Sequence, residues 1–422
     1  MTAIERLFAL EQFGIKLGLD NIRALLAALG HPERAWPSIH IAGTNGKGSV
    51  AAMVERGLRA GGLRTGRYTS PHLERVEERV AIDGQPVARD IFESVAAHVL
   101  DAVEAASRQG ALTVSPTFFE VSTAIAFEIF RQAKVDVAVV EVGLGGRFDA
   151  TNVLNPTITA ITSIAFDHER HLGHTLSEIA FEKAGIAKPG IPLIVGRLPA
   201  EAAMRIAKVA ADTGAPLVDA HATASDRQYP PLSLALPGRH QLDNAAVAVA
   251  ILERWSGTVG FLSTEAIVTG LTQCEWPGRL EWLRVPPHGD LLIDAAHNPA
   301  GAVALASYLN DLGATMLPFV FAAMADKDLM GMIAPLVPVA STFIATTVPN
   351  ARARAADQLA GEIRALAGSI AVESIADPAA AVERALQQSR RAVACGSIYM
   401  IGPLRAKLIA GGATPFRLLS ST

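Results

Sequence analysis

Short apolar runs alternate with longer amphipathic stretches along most of the chain. The runs predict strands, and the stretches between them have the period of helices with one apolar face. Several runs lack polar and apolar alternation, as expected of strands covered by helices on both faces. The predicted strands are 38–43, 135–143, 156–164, 191–196, 290–295, 318–324, 341–347 and 396–402, and the clearest helices are 50–60, 118–132, 353–367 and 378–390. This pattern predicts the α/β class with a largely parallel sheet.

The segment RVPPHGD, residues 284–290, interrupts this series. Two adjacent prolines and a glycine precede a fresh succession of strands and helices. A chain of 422 residues is also longer than one hydrophobic core usually organises. We therefore predict an N-terminal P-loop domain at 1–285, with a parallel sheet flanked by helices, and a smaller C-terminal Rossmann-like α/β domain at 290–422.

Composition narrows the possible function classes. Apolar residues make up 50% of the chain and charged residues 18%, which excludes a disordered protein. The formal net charge of −4 and the lack of a basic run argue against a nucleic-acid partner. No apolar run has the length of a membrane span, and the N-terminal acids do not fit a secretory signal, so we expect a cytoplasmic protein. Cys274 and Cys395 lack metal-ligand spacing and are predicted to be buried core residues.

The stretch IHIAGTNGKGSVAAM places glycines and a lysine between a predicted strand and a predicted helix. Gly43, Gly46 and Gly48 allow positive φ angles and close approach of backbone N–H groups to an anion. The N-terminus of the following helix adds partial positive charge. Lys47 is placed to reach the outer phosphates of a nucleotide and Ser49 to lie near a metal. The spacing departs from the common P-loop pattern, so an ordinary turn with an exposed lysine remains the alternative.

Further polar groups follow predicted strands, where open parallel sheets bind their ligands. Glu141 ends VDVAVVEV, and an acid there is suited to magnesium beside a phosphate loop, unless loop amides satisfy it. Asp167 and His168 follow the strand 156–164, although a lone histidine is more often structural. On a predicted helix further along, the adjacent acid and lysine of FEKAG are by spacing alone better explained as an exposed ion pair.

Nine sequence blocks together carry a family resemblance. They are HIAGTNGKGS, TSPHLERVEERV, TFFEVSTAIAF, EVGLGGRFDATN, DHERHLGHTLSEIAFEKAGIAKPG, LPGRHQLDNAAVA, WPGRLE, IDAAHNPAG and AMADKD, in this order over residues 40–328. In combination they resemble the folylpolyglutamate synthase and dihydrofolate synthase family, relatives of the Mur peptide ligases. The resemblance covers most of the chain and is strongest to the bifunctional bacterial enzymes.

The resemblance implies an ATP-dependent ligase that joins L-glutamate to dihydropteroate, to reduced folates, or to both. In such enzymes the acceptor carboxylate takes the γ-phosphoryl group of ATP, and the glutamate amine attacks the resulting acyl phosphate. This chemistry requires positioning, a divalent metal and donors for oxygen charge more than a protein nucleophile. The implied cofactors are ATP and two Mg²⁺ ions, and the implied assembly is a monomer.

The resemblance also implies roles for individual residues. The catalytic positions are Lys47, Lys183 and His168, with Lys183 matching a lysine that relatives carry as a carbamate. The cofactor-binding positions are Gly43, Thr44, Asn45, Gly46, Lys47, Gly48, Ser49, Asn244, Arg279, Asp294 and His297. The metal positions are Ser70, Glu141 and His168, and the substrate-binding positions are Phe119, Asp149 and Ala150. ATP is expected between the two domains, whose closure would exclude water from the acyl phosphate.

Two departures and several alternatives accompany this interpretation. Phe118 replaces a tyrosine frequent in the family, and Glu169 stands where threonine is usual. The two phenylalanines of TFFE fit a helix core nearly as well as a pterin pocket, and Asn298 before Pro299 also fits a helix start. The rival functions are a monofunctional folylpolyglutamate synthase, a Mur-type cell-wall ligase and a nucleotide-operated switch. About 42 residues precede the phosphate loop, which leaves little room for the sugar-peptide domain of a Mur enzyme.

Overall fold

Two compact units make up the chain. The computed structural model describes residues 1–14, 18–112, 114–222, 229–350 and 352–418. The first unit comprises Met1–Ala235 and Asp243–Glu275, and the second comprises Leu236–Leu242 and Trp276–Thr422. Within the described ranges, no helix has both the length and the apolar character that crossing a membrane requires.

The first unit is built on one mixed sheet. Its strands, within the described residues, are β1 (Ser38–Ala42), β2 (Thr65–Tyr68), β3 (Val80–Ile82), β4 (Gln85–Pro86), β5 (Val137–Glu141), β6 (Ile158–Ile161), β7 (Leu193–Val195) and β8 (Leu217–Asp219). Their order across the sheet is β4-β3-β2-β5-β1-β6-β7-β8. Six neighbouring strands run parallel, in the order β2, β5, β1, β6, β7 and β8. At one side of them, β3 pairs antiparallel with β2, and β4 pairs antiparallel with β3.

Helices pack against this sheet, and the sequence explains where one of the longest, α5, begins. The helices are α1 (Ala3–Phe8), α2 (Asp20–Ala28), α3 (Lys47–Ala60), α4 (Arg89–Arg108), α5 (Phe118–Ala133), α6 (Glu169–Leu172), α7 (Leu176–Ala184), α8 (Ala200–Thr213), α9 (His240–Thr258) and α10 (Thr264–Thr272). Thr117 and Glu120 form a reciprocal capping box at the start of α5. Phe127 and Phe130 of α5 pack on Trp36, with ring centroids 5.3 and 5.4 Å apart. This contact anchors α5 in the hydrophobic core of the first unit.

The second unit has its own sheet and core. Its strands are β9 (Glu281–Val285), β10 (Gly289–Ile293), β11 (Leu317–Phe321), β12 (Ala340–Ala345), β13 (Ala371–Ser374), β14 (Arg391–Cys395) and β15 (Thr414–Phe416). Its helices are α11 (Pro299–Asp311), α12 (Leu329–Ile333), α13 (Ala356–Leu366), α14 (Pro378–Gln388) and α15 (Ile398–Ala410). The order is β13-β12-β11-β14-β10-β9-β15, in which β9 runs antiparallel to both neighbours and β13 to β10 are parallel.

The predicted α/β class is confirmed, as are the four predicted helices, which correspond to α3, α5, α13 and α14. Both cysteines are buried, as predicted. The predicted strand at 396–402 is wrong. The strand is the preceding run Arg391–Cys395, Gly396 turns the chain at a φ of 101°, and α15 begins at Ile398, within the run predicted as a strand. A short apolar run does not distinguish a buried strand from a buried helix.

The domain boundary expected at 284–290 needs correction. That segment joins β9 to β10 as a hairpin inside the second sheet, with Val285 paired to Gly289. The contacts instead divide the chain between Glu275 and Trp276 and assign 236–242 to the second unit. Prolines and glycine mark a tight turn as readily as a linker, and only strand pairing distinguishes the two.

Candidate active site

Four of the predicted site segments lie at one edge of the first sheet. The strands β2, β5, β1 and β6 are consecutive neighbours in that sheet and run parallel. Ser70 follows β2, Glu141 ends β5, the phosphate loop follows β1, and His168 follows β6. The topology therefore brings these segments together at the carboxyl ends of the parallel strands, where open α/β sheets bind their ligands.

The phosphate loop requires glycine at two positions. Gly43 has a φ of 148° and Gly46 a φ of 86°, both in the region that favours glycine. A Cβ at Gly43 would overlap Thr162 Oγ1, and a Cβ at Gly46 would overlap Asn244 Oδ1. The hydroxyl of Thr162 also donates to the Asn45 carbonyl at 2.6 Å. The loop is thus fixed by β6 on one side and approached by Asn244 on the other.

Lys47 opens α3 and folds back over this loop. Its Nζ donates to the carbonyls of Gly43 at 3.1 Å and Thr44 at 3.3 Å, and lies 3.7 Å from Glu141 Oε1. Glu141 is 5% exposed. A buried acid and a lysine beside backbone N–H groups at a helix N-terminus form an arrangement that can receive a phosphate together with a cation.

Lys183 reaches the same carbonyl from another helix. Its Nζ donates to Gly43 at 3.1 Å, and the residue is only 5% exposed. Burial, followed by repulsion from Lys47, lowers the pKa of Lys183 to about 7. The exposed ion pair favoured by spacing is therefore wrong, because Glu182 pairs instead with Arg147 at 2.6 Å.

Close approach of two glycine segments holds Lys183 in this position. The Asn152 amide donates to the carbonyls of Arg147 at 2.9 Å and Gly185 at 3.0 Å. A Cβ at Gly146 would lie 2.6 Å from the Lys183 carbonyl, and a Cβ at Gly185 would overlap Arg147. The GLGGR and EKAG segments thus form one interlocked structure, which explains why both carry glycine.

A buried hydrogen-bond chain fixes the DATN segment. The carboxylate of Asp149 accepts from the backbone N–H of Leu144 at 2.8 Å and from the hydroxyl of Thr151. His40 Nε2 lies 2.7 Å from that hydroxyl, and burial, the larger cause, with the charge of Lys188 lowers the pKa of His40 to about 3. His40 is therefore neutral, its Nε2–H donates to Thr151, and Thr151 donates to Asp149. Burial raises the pKa of Asp149.

The two phenylalanines of TFFE have different surroundings. Phe118 is buried, with its ring centroid 5.4 Å from that of Phe8. Phe119 is half-buried, and its ring occupies the space that a Cβ at Gly143 would need. The Phe119 ring also lies 6.1 Å from Tyr68. Ala150, which follows Asp149 and is also predicted to bind the substrate, is buried. Phe119 thus faces the GLGG segment, whereas Phe118 belongs to the core.

The predicted metal positions are Ser70, Glu141 and His168. In the described parts of the chain, no three His, Cys, Asp or Glu side chains converge as a metal site. His168 has a φ of 52° and lies 3.9 Å from the carboxylate of Asp167, and Ser70 is half-buried. The oxygen donors of Ser70 and Glu141, with a ring nitrogen of His168, are few enough to fit Mg²⁺, which usually binds one or two protein ligands and keeps waters and phosphate oxygens in its other positions. They do not fit a closed all-protein metal cage.

The remaining predicted positions lie in the second unit around the end of β10. Asp294 accepts from the backbone N–H of Leu280 and of Ala296, each at 2.8 Å. Arg279 is half-buried, and His297 Nδ1 lies 2.8 Å from the Ala295 carbonyl. The side chain of Asn298 caps α11, which confirms the alternative of a helix start.

One buried polar residue that follows a strand of the second sheet, Ser397, was missed in the sequence analysis. Ser397 follows β14, the neighbour of β10, and precedes the thirteen-residue α15. Its Oγ is buried and has no hydrogen-bond partner among the described residues. No local pattern marked Ser397, because it lay within the predicted strand 396–402.

Comparison with known proteins decides the family. Residues 278–396 match the family model described as the Mur ligase, glutamate ligase domain. The dihydrofolate synthase/folylpolyglutamate synthase of Bacillus subtilis is 34% identical over 421 residues, covering 94% of this chain and 96% of that protein. The chain belongs to the folylpolyglutamate synthase and dihydrofolate synthase family. The family resemblance stated from the nine blocks is thereby confirmed, and the protein is an ATP-dependent ligase.

Solved structures of family members agree with this assignment along almost the whole chain. Mycobacterium tuberculosis folylpolyglutamate synthase complexed with ADP has a TM-score of 0.89 and 34% identity, covering 96% of this chain and 98% of that one. A bifunctional folylpolyglutamate synthase/dihydrofolate synthase with Mn, AMPPNP and L-glutamate bound has a TM-score of 0.84 and 33% identity, covering 97% and 98%.

Proposed function

We propose that the protein ligates L-glutamate to dihydropteroate and to reduced folates, using ATP and a divalent metal. The observation that carries the proposal is the convergence of Lys47, Glu141 and Lys183 on the loop that starts at Gly43. A half-buried lysine and a buried lysine on one carbonyl, beside a buried acid, suit a reaction in which negative charge moves between oxygens. The relatives with bound nucleotide, manganese and glutamate support the same reaction.

The reaction divides into two displacements. A carboxylate oxygen of the acceptor attacks the γ-phosphorus of ATP, the bond to the β,γ-bridging oxygen breaks, and ADP leaves. The glutamate amine then attacks the acyl carbon, inorganic phosphate leaves with the electrons of the C–O bond, and the nitrogen releases a proton. We assign to Lys47 and the N–H groups of residues 44–49 the task of neutralising phosphate oxygens. Asn244 is assigned to the nucleotide because it lies against Gly46.

For the metal, we propose Glu141, Ser70 and His168 as protein ligands, with phosphate oxygens and water in the other positions. Mg²⁺ supplies positive charge to the transferred phosphoryl group. The family resemblance supports two ions, and the donor set described above is compatible with partly hydrated ones. Anomalous scattering from crystals grown with Mn²⁺ and a nucleotide analogue tests both the positions and the number.

We propose that Lys183 reacts with carbon dioxide to form a carbamate. The neutral amine is the reactive form, its nitrogen forms the new N–C bond, and one proton is released. A pKa of about 7 makes a large share of the buried amine neutral at neutral pH. A carbamate would replace a crowded cation with oxygen acceptors beside Lys47. Carbon-13 NMR of protein equilibrated with labelled bicarbonate tests this, with Lys183→Ala as the control that lacks the signal.

The pterin positions have different support. Phe119 offers a half-buried ring suited to stacking on a flat heterocycle. The carboxylate of Asp149 already accepts from its own loop, so we propose that Asp149 and Ala150 shape the pocket and that Asp149 also accepts an N–H of the heterocycle at a remaining lone pair. For Arg279, Asp294 and His297, contact with the nucleotide stays a prediction carried by the family resemblance.

One assay separates dual from single specificity. Phosphate release is measured with ATP, Mg²⁺ and L-glutamate, first with dihydropteroate and then with tetrahydrofolate as acceptor. Glutamate-dependent release with both compounds is expected. Release with tetrahydrofolate alone would indicate a monofunctional folylpolyglutamate synthase, and release that does not require glutamate would contradict the ligase. We also propose that the enzyme acts as a cytoplasmic monomer without a nucleic-acid partner, and light scattering of the purified protein tests its mass.

A further inference from the structure

Arg79 is a buried cation without an acidic partner in the described structure. It precedes β3 and is 8% exposed. Its Nε donates to His72 Nδ1 at 2.9 Å, and its side chain also bonds to the Tyr68 hydroxyl. Among the described residues no carboxylate lies within the 4.0 Å of an ion pair, and these two are its only side-chain hydrogen-bond partners.

A buried guanidinium in this state is expensive to maintain. The group carries five N–H donors and a permanent positive charge, and the two partners engage only part of the donors. Buried charges in proteins are ordinarily paired or bound to a ligand. His72 does not supply the missing negative charge, because an imidazole side chain is either neutral or positively charged. The structure therefore leaves the positive charge of Arg79 available to a ligand.

Aromatic rings surround this cation. The guanidinium carbon lies 5.0 Å from the centroid of the Phe118 ring. The Phe8 ring contacts both Phe118, at 5.4 Å between centroids, and His72, at 6.3 Å. Tyr68 connects Arg79 to Phe119, the half-buried ring at the start of α5. Flat apolar surfaces around fixed N–H donors suit a planar ligand with an oxygen acceptor.

The cluster lies at the reactive edge of the first sheet. The Arg79 carbonyl accepts from the backbone N–H of Thr69 at 3.0 Å, one residue before the proposed metal ligand Ser70. Strand β2, which Thr69 follows, is hydrogen-bonded to β5, whose last residue is Glu141. An extended acceptor with its carboxylate near the phosphate loop would therefore direct its remote end along this edge.

We propose that Arg79 binds an oxygen of the aromatic acyl acceptor, with the half-buried ring of Phe119 beside the bound molecule. The oxygen is either the ring carbonyl of the heterocycle or a glutamyl carboxylate of an already glutamylated folate, and both accept N–H bonds from guanidinium. This inference rests on the proposed function and names the residue that would select the acceptor. His72 is then a positioning residue, because its Nδ1 fixes the plane of the guanidinium.

The test compares Arg79→Met with the parental protein. Dissociation constants for dihydropteroate and for tetrahydrofolate are measured by calorimetric titration in the presence of Mg²⁺ and a non-hydrolysable ATP analogue. We expect Arg79→Met to weaken acceptor binding by about 10- to 100-fold, as for a lost hydrogen bond to a charged group. Weakening with both compounds assigns the ring carbonyl, because dihydropteroate has no glutamyl group, whereas weakening with tetrahydrofolate alone assigns the carboxylate.

Two readouts separate recognition from a structural role. Removing an unpaired buried cation should leave the thermal midpoint unchanged or raise it, and the dissociation constant of the ATP analogue should not change. Arg79→Lys restores charge without the planar fork and should give intermediate acceptor affinity. The matched control is Arg284→Met, which removes an arginine lying 4.7 Å from the Phe416 ring in the second unit and should change none of these values.

Three results would overturn the inference. They are parental acceptor affinity in folded Arg79→Met, an equal loss of nucleotide and acceptor affinity with a lowered thermal midpoint, and a parental protein that binds neither acceptor. The proposed function fails separately, when the parental protein binds an acceptor but releases no glutamate-dependent phosphate.

Discussion

Two lysines from different helices, Lys47 and Lys183, donate to the same backbone carbonyl, that of Gly43. Lys47 lies in a loop whose glycines and following helix are visible as a local pattern. Lys183 belongs to an acid–lysine pair that looks the same whether exposed or buried, and its burial depends on segments about thirty-five residues apart. The resemblance to a family supplied its role, and the structure supplies the reason for its lowered pKa.

Lys47→Ala should remove ligation while preserving the fold. The variant loses the cation that neutralises phosphate oxygens, so we expect glutamate-dependent phosphate release to fall by at least about 100-fold. Lys208→Ala is the matched control, because Lys208 is exposed and pairs with Asp212 on α8. Circular dichroism should be unchanged in both variants. Ligation by Lys47→Ala at the rate of the control would contradict the phosphate role.

The lowered pKa of Lys183 predicts how the free energy of unfolding depends on pH. The pKa of Lys183 in the folded protein, about 7, lies below the ordinary lysine pKa of 10.5, so between these values the unfolded state binds more protons than the folded state. The free energy of unfolding therefore increases as the pH rises through this range. Below about pH 7, burial of Lys183 lowers the free energy of unfolding by its full amount. In carbonate-free buffer, Lys183→Met should be more stable than the parental protein by roughly a few kcal/mol at pH 7.

The advantage of Lys183→Met should shrink as the buffer approaches pH 10. Denaturant unfolding at several pH values measures it, with Lys208→Met as the control that shows no such trend. A stability difference that is constant with pH would contradict the lowered pKa of Lys183.

At the scale of elements, burial on both faces decided what could be predicted. The central parallel strands appear as apolar runs, and helices such as α5 have both a cap and a long apolar sequence. Short, partly exposed strands such as β8 and β13 have no comparable signal, because none of their residues is buried. The interlock of GLGGR with EKAG was also out of reach, since a contact between two turns leaves no period in the sequence.

The close approach of GLGGR and EKAG predicts that one added methyl group, in Gly185→Ala, destabilises the protein. Gly185 has ordinary helical backbone angles, so Gly185→Ala introduces no backbone strain and acts only through its overlap with Arg147. We expect a loss of about 1 to 3 kcal/mol in the free energy of unfolding, as for overpacked sites. Ligation should slow as well, because α7 must shift and carry Lys183 away from Gly43.

Gly361→Ala is the matched control for this substitution. Gly361 lies within α13, and a Cβ there meets nothing within 4 Å. It should therefore be neutral or stabilise by up to about 1 kcal/mol through helix propensity. Denaturant unfolding and phosphate release measure both variants. Equal behaviour of the two would show that the close approach at Gly185 is unimportant.

At the scale of the whole molecule, the sequence predicted two units but divided them at the wrong turn. Length alone favours two cores, and RVPPHGD was the strongest interruption visible along the chain. Its position in the fold depends on β9 pairing with β10, a contact that composition does not encode. The family assignment did not depend on this boundary, because the nine blocks occur on both sides of it.

Nucleotide binding should stabilise the molecule unevenly, since the phosphate loop and α3 belong to the first unit. A ligand that binds only the folded state adds about 2.7 kcal/mol when present at 100 times its dissociation constant. Hydrogen exchange with Mg²⁺ and a non-hydrolysable ATP analogue should therefore slow most in β1 and α3, and less in β12 and β13. Lys47→Ala should lose this protection, whereas Lys208→Ala should keep it. Unchanged exchange in β1 and α3 of the parental protein would contradict nucleotide binding at the loop, because protection of those amides follows directly from occupation of the anion site.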